Sequence, residues 1–557
     1  MNRASRLEAT VSHLADTIGA RPPGSAAERQ AADFLLAEFR ALLLETSLEC
    51  FDTPSHLADR ATLTLDSGED IPCLPCQFSP AGDVHGPLVF LGRDGIPRNN
   101  GSVRGALGVF LPGGSIPSSI ALLQRLATEG LAGLLVISPY MDGILTKAVR
   151  FPEIEHLPVA AVSWRMGEKL VGLAGTGASL CVTHVLEERH ESQNVVATLP
   201  GSGPNWLAIS AHHDTAPYAP GALDNGSGCA VLLELARELR DAMLPATLRF
   251  IATGCEEYGR KDGVGAGAQA YWDAHADDLG TCLGWVEIDD VGNRLGDLHV
   301  FIGGRKPFAD AIRSVSPPPH TCFPGKPSTG CDHGAAEQRG LPTVWFNDSA
   351  DAPRPHYHSP ADTMEFLDAA KAASYVPHIA AVVEALTRID LPNPIVREGD
   401  LLLRQATFAD LEPIREITRL AFEPVSFDRM KEEFFQERLG GRDWHEYKCG
   451  GLISSLRGRI YQVVVTEVGG CVVGYATYLL DPTRGIATIG NNAVHPESQR
   501  RGIGKLQQRE VERRMREAGY TKFQVSTLSN DTPAQHVYEK LGYQRVVETI
   551  HYLRRDD

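Results

Sequence analysis

The chain has 557 residues, of which 43% are hydrophobic and 22% charged, proportions typical of a folded protein with roughly two to four domains. A net charge of −17 disfavours a general nucleic-acid binder, because phosphate contacts need a basic surface. The N-terminus has no apolar core of secretory length, and no apolar run reaches the roughly 18 residues of a membrane span. With 11 dispersed cysteines, a reducing cytoplasmic location is expected rather than a disulfide framework.

The first 45 residues are predicted to form two helices, separated by the turn residues 21–25. Leu7, Val11 and Leu14 recur at helical spacing, and a second apolar face follows the turn. From 46 to 190, short apolar runs are cut by Gly and Pro, which predicts an inserted β-rich domain with few helices, one of them Ile120 to Glu129.

From 191 to 392, strands alternate with helices, and the strands are near-continuous apolar runs, as expected when both faces of a sheet are covered. Together with residues 1–45 this region is predicted to form an α/β domain, a mixed sheet in an α/β/α sandwich. Its helices include Ser227 to Arg240 and Thr363 to Ile389. Open α/β sheets bind ligands at the ends of their strands.

A proline-broken linker, residues 393–399, precedes a third unit, residues 400–557, which is also α/β. Seven elements are predicted in it. In chain order they are a strand (Leu401 to Arg404), a helix from Asp410, a hairpin with its turn at Val468 to Gly470, a strand (Ile486 to Val494), a helix (Lys505 to Ala518), a strand (Lys522 to Thr527) and a helix (Pro533 to Leu541).

Five potential metal ligands occur in the second region, each in a short motif and several directly after a strand: His212, Asp224, Glu257, Asp289 and His358. Two imidazoles and three carboxylates suit two zinc ions with one carboxylate bridging them. Two metal ions with a water between them are typical of a hydrolase.

The motifs that carry these residues are His212-His213-Asp214, Asp224-Asn225-Gly226, Glu256-Glu257, Asp289-Asp290-Val291-Gly292 and Tyr357-His358. Over 1–45 and 191–392 the chain thereby resembles the di-zinc aminopeptidase family, which also contains glutamate carboxypeptidase and the metal-free transferrin receptor. The resemblance implies that His212, Glu257, Asp289 and His358 bind zinc and that Asp224 bridges the two ions. It also implies that Asp214 orients the His212 imidazole and that Glu256 is the general base.

Some neighbouring residues depart from that pattern or add to it. Asp290 replaces an apolar residue of the family, and its carboxylate is expected either to alter substrate choice or to face solvent. His213 is expected to point away from the site, because alternate residues of an extended segment face opposite sides. Asp332, His333 and His356 are weaker candidates, the first two as groups that line the pocket or support a ligand.

The inserted region, 46–190, resembles the protease-associated domain. The similarity lies in Glu129 to Ile137 and in Leu157 to Ser163, followed by Gly167 to Leu170. Two interpretations remain open: a lid that shapes the substrate cleft, which the resemblance favours, and a passive insertion.

The third unit resembles the GNAT N-acetyltransferases, in which a glycine turn between a strand and a helix binds the pyrophosphate of acetyl-CoA. The residues that match are Val494, Gln499, Arg500, Arg501, Gly502, Ile503, Gly504 and Lys505. The segment Asn530 to Tyr543 resembles the closing helix of that family. The resemblance implies that Asn530 contacts the cofactor and that Tyr538 is the general acid; the alternative for Tyr538 is a core aromatic.

These patterns predict a bifunctional enzyme: a two-zinc exopeptidase, with aminopeptidase activity favoured by the family, and an acetyl-CoA-dependent N-acetyltransferase. Its expected partners are a peptide or small amide substrate and an amine acceptor, and the amine released by one reaction could serve the other. Alternatives are an N-acyl amino-acid deacylase or carboxypeptidase with a regulatory acetyl-CoA-binding domain, and a binding protein that keeps both folds as scaffolds. The complete set of metal ligands favours an enzyme over a binding protein.

Overall fold

The computed structural model describes residues 1–53, 57–76, 79–92, 95–98, 102–112, 125–145, 156–185, 191–257, 265–325, 330–348, 354, 356–390, 396–457, 460–481, 483–548 and 551–555. The chain begins with two helices, α1 (Arg3–Ser12), which continues as a π-helical turn (His13–Ile18), and α2 (Ala26–Ala41). Strand β1 (Glu45–Asp52) follows directly. The two helices agree with the sequence periodicity.

The inserted unit is built on an eight-stranded sheet with the order β3-β2-β9-β5-β6-β7-β8-β4. Its strands are β2 (Leu57–Leu65), β3 (Asp70–Ile71), β4 (Leu74–Pro75), β5 (Gly82–Leu91), β6 (Leu107–Phe110), β7 (Gly133–Ile137), β8 (Val159–Val162) and β9 (Gly177–Val185). Helix α3 (Trp164–Gly172) packs against β5 and β7. Of the predicted helix Ile120 to Glu129, residues 125–128 are helical and 120–124 lie outside the described residues.

The central unit contains a seven-stranded mixed sheet with the order β1-β10-β12-β11-β13-β15-β14. Its further strands are β10 (Glu191–Leu199), β11 (Trp206–His212), β12 (Thr247–Thr253), β13 (Cys282–Ile288), β14 (His299–Gly303) and β15 (Thr343–Asn347). Its further helices are α4 (Gly228–Leu239), α5 (Ala266–Ala274), α6 (Lys306–Ser314), α7 (His333–Gln338) and α8 (Ala369–Leu386). The predicted α/β class is confirmed.

Helices cover both faces of this sheet. On one face α1, α4 and α8 pack together, and Leu7, Val231 and Val376 are fully buried among them. On the other face α5 and α7 cover a cluster that contains Trp272 and Trp285, also fully buried. All residues of β11 and β13 are buried, which explains their continuous apolar sequences.

Two predicted boundaries are wrong. Strand β1 pairs antiparallel with β10, so residues 45–52 belong to the central sheet and the inserted unit begins after them rather than at 46. Within the predicted linker 393–399, Val396–Glu398 forms a short strand, β16, that pairs with the next strand. Both are edge strands with exposed polar residues, so neither has the apolar run by which a buried strand is recognised.

The C-terminal unit has a six-stranded sheet with the order β16-β17-β18-β19-β20-β21. Its strands after β16 are β17 (Leu401–Gln405), β18 (Val463–Val468), β19 (Cys471–Asp481), β20 (Ile486–Val494) and β21 (Phe523–Val525). Its helices are α9 (Leu411–Phe422), α10 (Phe427–Phe435), α11 (Trp444–Arg457), α12 (Ile503–Glu517) and α13 (Thr532–Lys540). The predicted elements are present in order, while α10, α11 and β16 were not predicted.

The central and C-terminal units touch at Gly340, where a Cβ atom would lie 2.5 Å from Gln405 Cβ. Gly340 also has a φ of +79°, so both the backbone conformation and the close approach require glycine. Among the described residues, no helix is long and apolar enough to cross a membrane.

Candidate functional site

The candidate metal ligands meet at one edge of the central sheet. Strands β11, β12 and β13 run parallel, so their carboxyl ends lie side by side. His212 is the last residue of β11, Glu256 and Glu257 follow β12, and Asp289 directly follows β13. Asp224 and His358 reach the same place from loops.

Asp224 lies between two histidines, with a different carboxylate oxygen towards each. Its Oδ1 is 3.2 Å from His212 Nε2, and its Oδ2 is 3.3 Å from His358 Nε2. Asp289 Oδ1 lies 3.3 Å from His212 Nε2, and Glu257 Oε2 lies 3.0 Å from His358 Nε2. The five residues therefore form two groups of three that share Asp224.

The donor set fits two divalent cations. In each group, one ligand atom from each residue lies within 4.8 Å of the others. Asp289 Oδ1 is buried and has no hydrogen-bond partner within the described part of the chain, although a buried carboxylate oxygen normally requires one. Mixed imidazole and carboxylate donors of this kind suit zinc and related metals.

The close packing of these groups shifts their pKa values. Burial lowers the pKa of the His358 imidazole, but Glu257 and Asp224 outweigh burial and raise that pKa to about 10. Burial raises the pKa of Asp289 to about 6, against the opposing effect of His212. Burial, together with Glu257 and Asp332, holds the pKa of Glu256 well above its ordinary value.

Asp214 holds the Glu256-Glu257 segment in place. The main-chain amides of Glu256 and Glu257 donate to Asp214 Oδ1 and Oδ2, each at 3.0 Å. The nearest Asp214 atom to His212 Nδ1 is the carbonyl oxygen, at 3.2 Å, whereas the carboxylate is 3.7 Å away. The carbonyl thus orients the imidazole, and the carboxylate links the His212 segment to the two glutamates.

In the C-terminal unit, the loop between β20 and α12 has the geometry of an anion-binding turn. Arg500 and Gly502 have φ values of +65° and +80°, and the helix begins at Ile503. Within the described residues, the amides of residues 500–504 donate to no carbonyl or side chain, whereas those of Lys505 and Leu506 donate to Gly502 O. Consecutive free amides at a helix N-terminus favour a phosphate.

Comparison with known proteins identifies two of the three units. Residues 194–383 match the model of peptidase family M28, and residues 412–543 match the acetyltransferase (GNAT) family. By these matches the central unit is of the peptidase M28 type and the C-terminal unit is a GNAT acetyltransferase domain. The chain thus combines a hydrolase with an acetyltransferase-type unit, as the sequence motifs predict.

Aminopeptidase YwaD of Bacillus subtilis (strain 168) is 24% identical over 424 residues, which are 71% of this chain and 88% of that protein. The probable lipoprotein aminopeptidase LpqL of Mycobacterium tuberculosis is 28% identical over 254 residues, 43% of this chain and 49% of that protein.

Two solved structures share the fold of the M28 portion. The zinc aminopeptidase BSAP from Bacillus subtilis has a TM-score of 0.58 at 22% identity and covers 68% of this chain and 94% of its own. A peptidase M28 precursor from Shewanella amazonensis SB2B has a TM-score of 0.61 at 18% identity, with coverages of 71% and 96%.

Three buried residues of the M28 unit support the site but had no assigned role in the motifs. Asp362 accepts the amides of Leu223 and Asp224, at 2.9 and 3.0 Å. Arg21 donates to the carbonyls of His213, Pro220 and Gly221, among others, and so ties the His212 segment to the loop before Asp224. Glu28 accepts the Cys255 amide at 3.2 Å. For Asp362 the only sequence signal is its place four residues after His358.

The weaker candidates and His213 are all buried in the M28 unit. Asp332 accepts a hydrogen bond from the Thr253 hydroxyl, and its charge raises the pKa of Glu256. His333 Nδ1 lies 2.8 Å from Glu287 Oε2.

The two other histidines, His356 and His213, belong to neither of the two ligand groups. The His356 ring stacks on that of Phe366, with 4.6 Å between the ring centroids. His213 is fully buried, and burial lowers the pKa of its imidazole to about 4.

Asp290 does not face solvent: it is 1% exposed and bonded to Arg354, so that one of its two expected roles is wrong.

The other residues predicted for the GNAT site lie on α13, in the turn before it, and in the loop itself. Asn530 is exposed in the turn before α13. Tyr538 is half-buried on α13, and its ring centroid lies 6.1 Å from that of Tyr543. Burial raises the pKa of the Tyr538 hydroxyl to about 12. Gln499 Nε2 donates to Val494 O at 3.2 Å, and Arg501 donates to Asp400, so these two side chains brace the turn.

Proposed function

We propose that the M28 unit is a metal-dependent aminopeptidase that uses two zinc ions and releases N-terminal residues from small peptides. The observation that supports this most strongly is the position of Asp224, whose two carboxylate oxygens face the two different histidines. When bound, two divalent cations would lower the pKa of a water between them and polarise the scissile carbonyl. His212, Asp224 and Asp289 would hold one ion, and His358, Asp224 and Glu257 the other.

The protein residues would perform the remaining tasks. Glu256 follows the ligand strand β12, and its carboxyl can approach the ligand atoms of His212 and Glu257 within 4.8 Å. From there it takes the proton of the attacking water and passes it to the departing amine. Asp214 keeps Glu256 in position through the amide of that residue. The acidic surroundings attract the α-ammonium group of a peptide.

Metal analysis combined with digestion of a peptide library tests this proposal. The full chain is expected to bind two zinc equivalents and to shorten peptides from the amino end only. Aminoacyl and N-acyl anilides should be compared in the same assay. Cleavage of N-acylated compounds alone would instead indicate a deacylase, and shortening from the carboxyl end a carboxypeptidase.

We further propose that the C-terminal unit binds acetyl-CoA and acetylates an amine. Support comes from the free amides of residues 500–504, which can receive the pyrophosphate of acetyl-CoA at the N-terminus of α12. Tyr538 is proposed to protonate the departing thiolate, because its raised pKa keeps the hydroxyl protonated at neutral pH. Transfer of radiolabelled acetyl groups to a panel of amines and peptidase products would test this activity. Binding without transfer would indicate a regulatory domain instead.

The inserted unit is proposed to be a protease-associated domain that forms one wall of the peptidase cleft. Its Tyr140 lies close enough to Arg354 for the guanidinium charge to lower the pKa of the tyrosine hydroxyl, against the larger effect of burial. Arg354 in turn contacts Asp290, the residue next to ligand Asp289. This electrostatic interaction supports a position of the inserted unit near Asp290.

A further inference from the structure

An arginine borders the otherwise acidic metal cluster. Arg354 Nη1 donates to Asp290 Oδ2 at 2.6 Å, and its guanidinium carbon lies 3.9 Å from the centre of the Tyr357 ring. Asp290 directly follows ligand Asp289, and Tyr357 directly precedes ligand His358. The guanidinium is therefore fixed from two sides by chain neighbours of two metal ligands.

The contacts that hold Arg354 leave part of its side chain exposed. Asp290 is buried beneath it, whereas the Arg354 side chain is 27% exposed. A guanidinium has five N–H donors, and Asp290 engages one of them within the described part of the chain. Stacking on Tyr357 fixes the plane of the group, so the remaining donors are preorganised for a planar anion.

Arg354 places a positive charge next to the negatively charged carboxylates of the site. Asp224, Glu256, Glu257 and Asp289 surround the metal positions, and none of them contacts the guanidinium within hydrogen-bond distance. A substrate whose ammonium group faces those carboxylates could place a carboxylate at Arg354.

We propose that Arg354 binds a carboxylate of the substrate and thereby makes the enzyme selective for anionic peptides. The proposal rests on the peptidase function proposed above and specifies its substrate class. The carboxylate has two possible sources: an acidic side chain on the N-terminal residue, or the free C-terminus of a short peptide. Asp290 and Tyr357 act through Arg354 as positioning residues.

Two matched pairs of compounds distinguish the sources. Glutamyl and glutaminyl anilides differ in the charge of the side chain, and leucyl-alanine and its C-terminal amide differ in the charge of the terminus. For each pair the ratio of kcat/KM, charged over neutral, is measured with the zinc-loaded full chain, Arg354→Gln and Arg354→Lys. One lost charged hydrogen-bond pair corresponds to a fall of about 10- to 100-fold in one ratio.

The expected change lies in KM for the charged compound of the pair, and Arg354→Lys should restore part of it, because a lysine keeps the charge but not the planar fork. Asp290→Asn should lower the same ratio to a smaller extent. Arg313→Gln, which removes an exposed arginine of α6, is the matched control and should change neither ratio. Equal losses for charged and neutral compounds in both pairs would overturn the proposal.

Calorimetric binding of the same four compounds to zinc-loaded Glu256→Gln, with and without Arg354→Gln, separates this inference from the peptidase assignment. Tighter binding of a charged compound that depends on Arg354 supports carboxylate recognition even if the wild type hydrolyses none of the four. In that event the aminopeptidase assignment fails and the inference stands. Binding that does not distinguish charged from neutral compounds rejects the inference, whatever the hydrolysis rates.

Discussion

Asp362 accepts the main-chain amide of Asp224 at 3.0 Å, although 138 residues separate the two in the chain. The other Asp362 oxygen accepts the amide of Leu223 at 2.9 Å, and the side chain is fully buried. Asp362 also lies four residues after His358. It thus connects the loop of the shared carboxylate with the loop of one of the two histidines.

We expect Asp362→Asn to weaken zinc binding by about 10- to 100-fold, the usual effect of losing a group that orients a metal ligand. An asparagine can accept only one of the two amides and would turn its NH₂ group towards the other. Zinc affinity is measured by competition with a chromogenic chelator, and the thermal midpoint of each variant is recorded. Glu365→Gln removes a nearby exposed carboxylate and serves as control. Unchanged zinc affinity in Asp362→Asn would contradict the role assigned to Asp362.

The adjacent residues Glu256 and Glu257 should respond differently to the same substitution. Glu256→Gln is expected to reduce kcat by about 10²- to 10⁴-fold, as loss of a positioned base does, with two zinc ions retained. Glu257→Gln is expected to lose zinc at the His358 position, because it removes a ligand atom 3.0 Å from that imidazole. Turnover and zinc content of both variants are measured together. Retention of activity by Glu256→Gln would exclude it as the base.

Gly504→Asp should weaken acetyl-CoA binding by about tenfold or more, because the new carboxylate repels the pyrophosphate at the start of α12. The nearest atom to a Cβ at this position is 3.8 Å away, and a carboxylate near a helix N-terminus is favourable in itself, so folding should be preserved. Acetyl-CoA affinity is measured by calorimetry. Gly451→Asp, on an exposed position of α11, makes the same charge change elsewhere. Equal affinities in the two variants would place the cofactor somewhere other than this loop.

The sequence was sufficient to predict that three of the candidate metal ligands converge, because these three lie at the ends of strands. Parallel strands end at one edge of the sheet, so His212, Glu257 and Asp289 had to converge once β11, β12 and β13 were recognised. Asp224 and His358 lie outside strands, and only their motifs indicated them. The structure brings all five together, while the role of each ion and of the base remains a prediction.

The supporting contacts could not be predicted because they join distant parts of the chain. Arg21 lies in a turn that had suggested only a break between helices, yet it binds carbonyls about 200 residues later. Asp290 looked like a candidate for solvent exposure because its partner, Arg354, lies 64 residues away. Edge strands β1 and β16 were missed for a different reason: half-exposed strands have no continuous apolar run.

The stability of the C-terminal unit should decrease in acid because of the ion pair between Arg404 and Asp410. Arg404 donates to both Asp410 oxygens, at 2.7 and 2.9 Å. Burial opposes ionisation of Asp410, but Arg404 and the Thr407 amide outweigh it and lower the pKa below 3.8, its ordinary value. A carboxyl group whose pKa is lower in the folded than in the unfolded state stabilises the fold at pH values above its unfolded pKa. This contribution is lost as the pH falls through the folded pKa.

Asp410→Asn should therefore lower the opening free energy of this unit by about 1.5–3 kcal/mol at pH 6 and by less at pH 3, which lies below the unfolded pKa, so that the contribution of the carboxylate in the wild type is already declining. Hydrogen exchange of peptides that cover β17 and α9 measures this free energy within the whole chain. Glu412→Gln, an exposed carboxylate of α9, is the control and should have little effect at either pH, because exposed ion pairs contribute little. A difference between wild type and Asp410→Asn that is equal at both pH values would show that the effect of the substitution is not electrostatic.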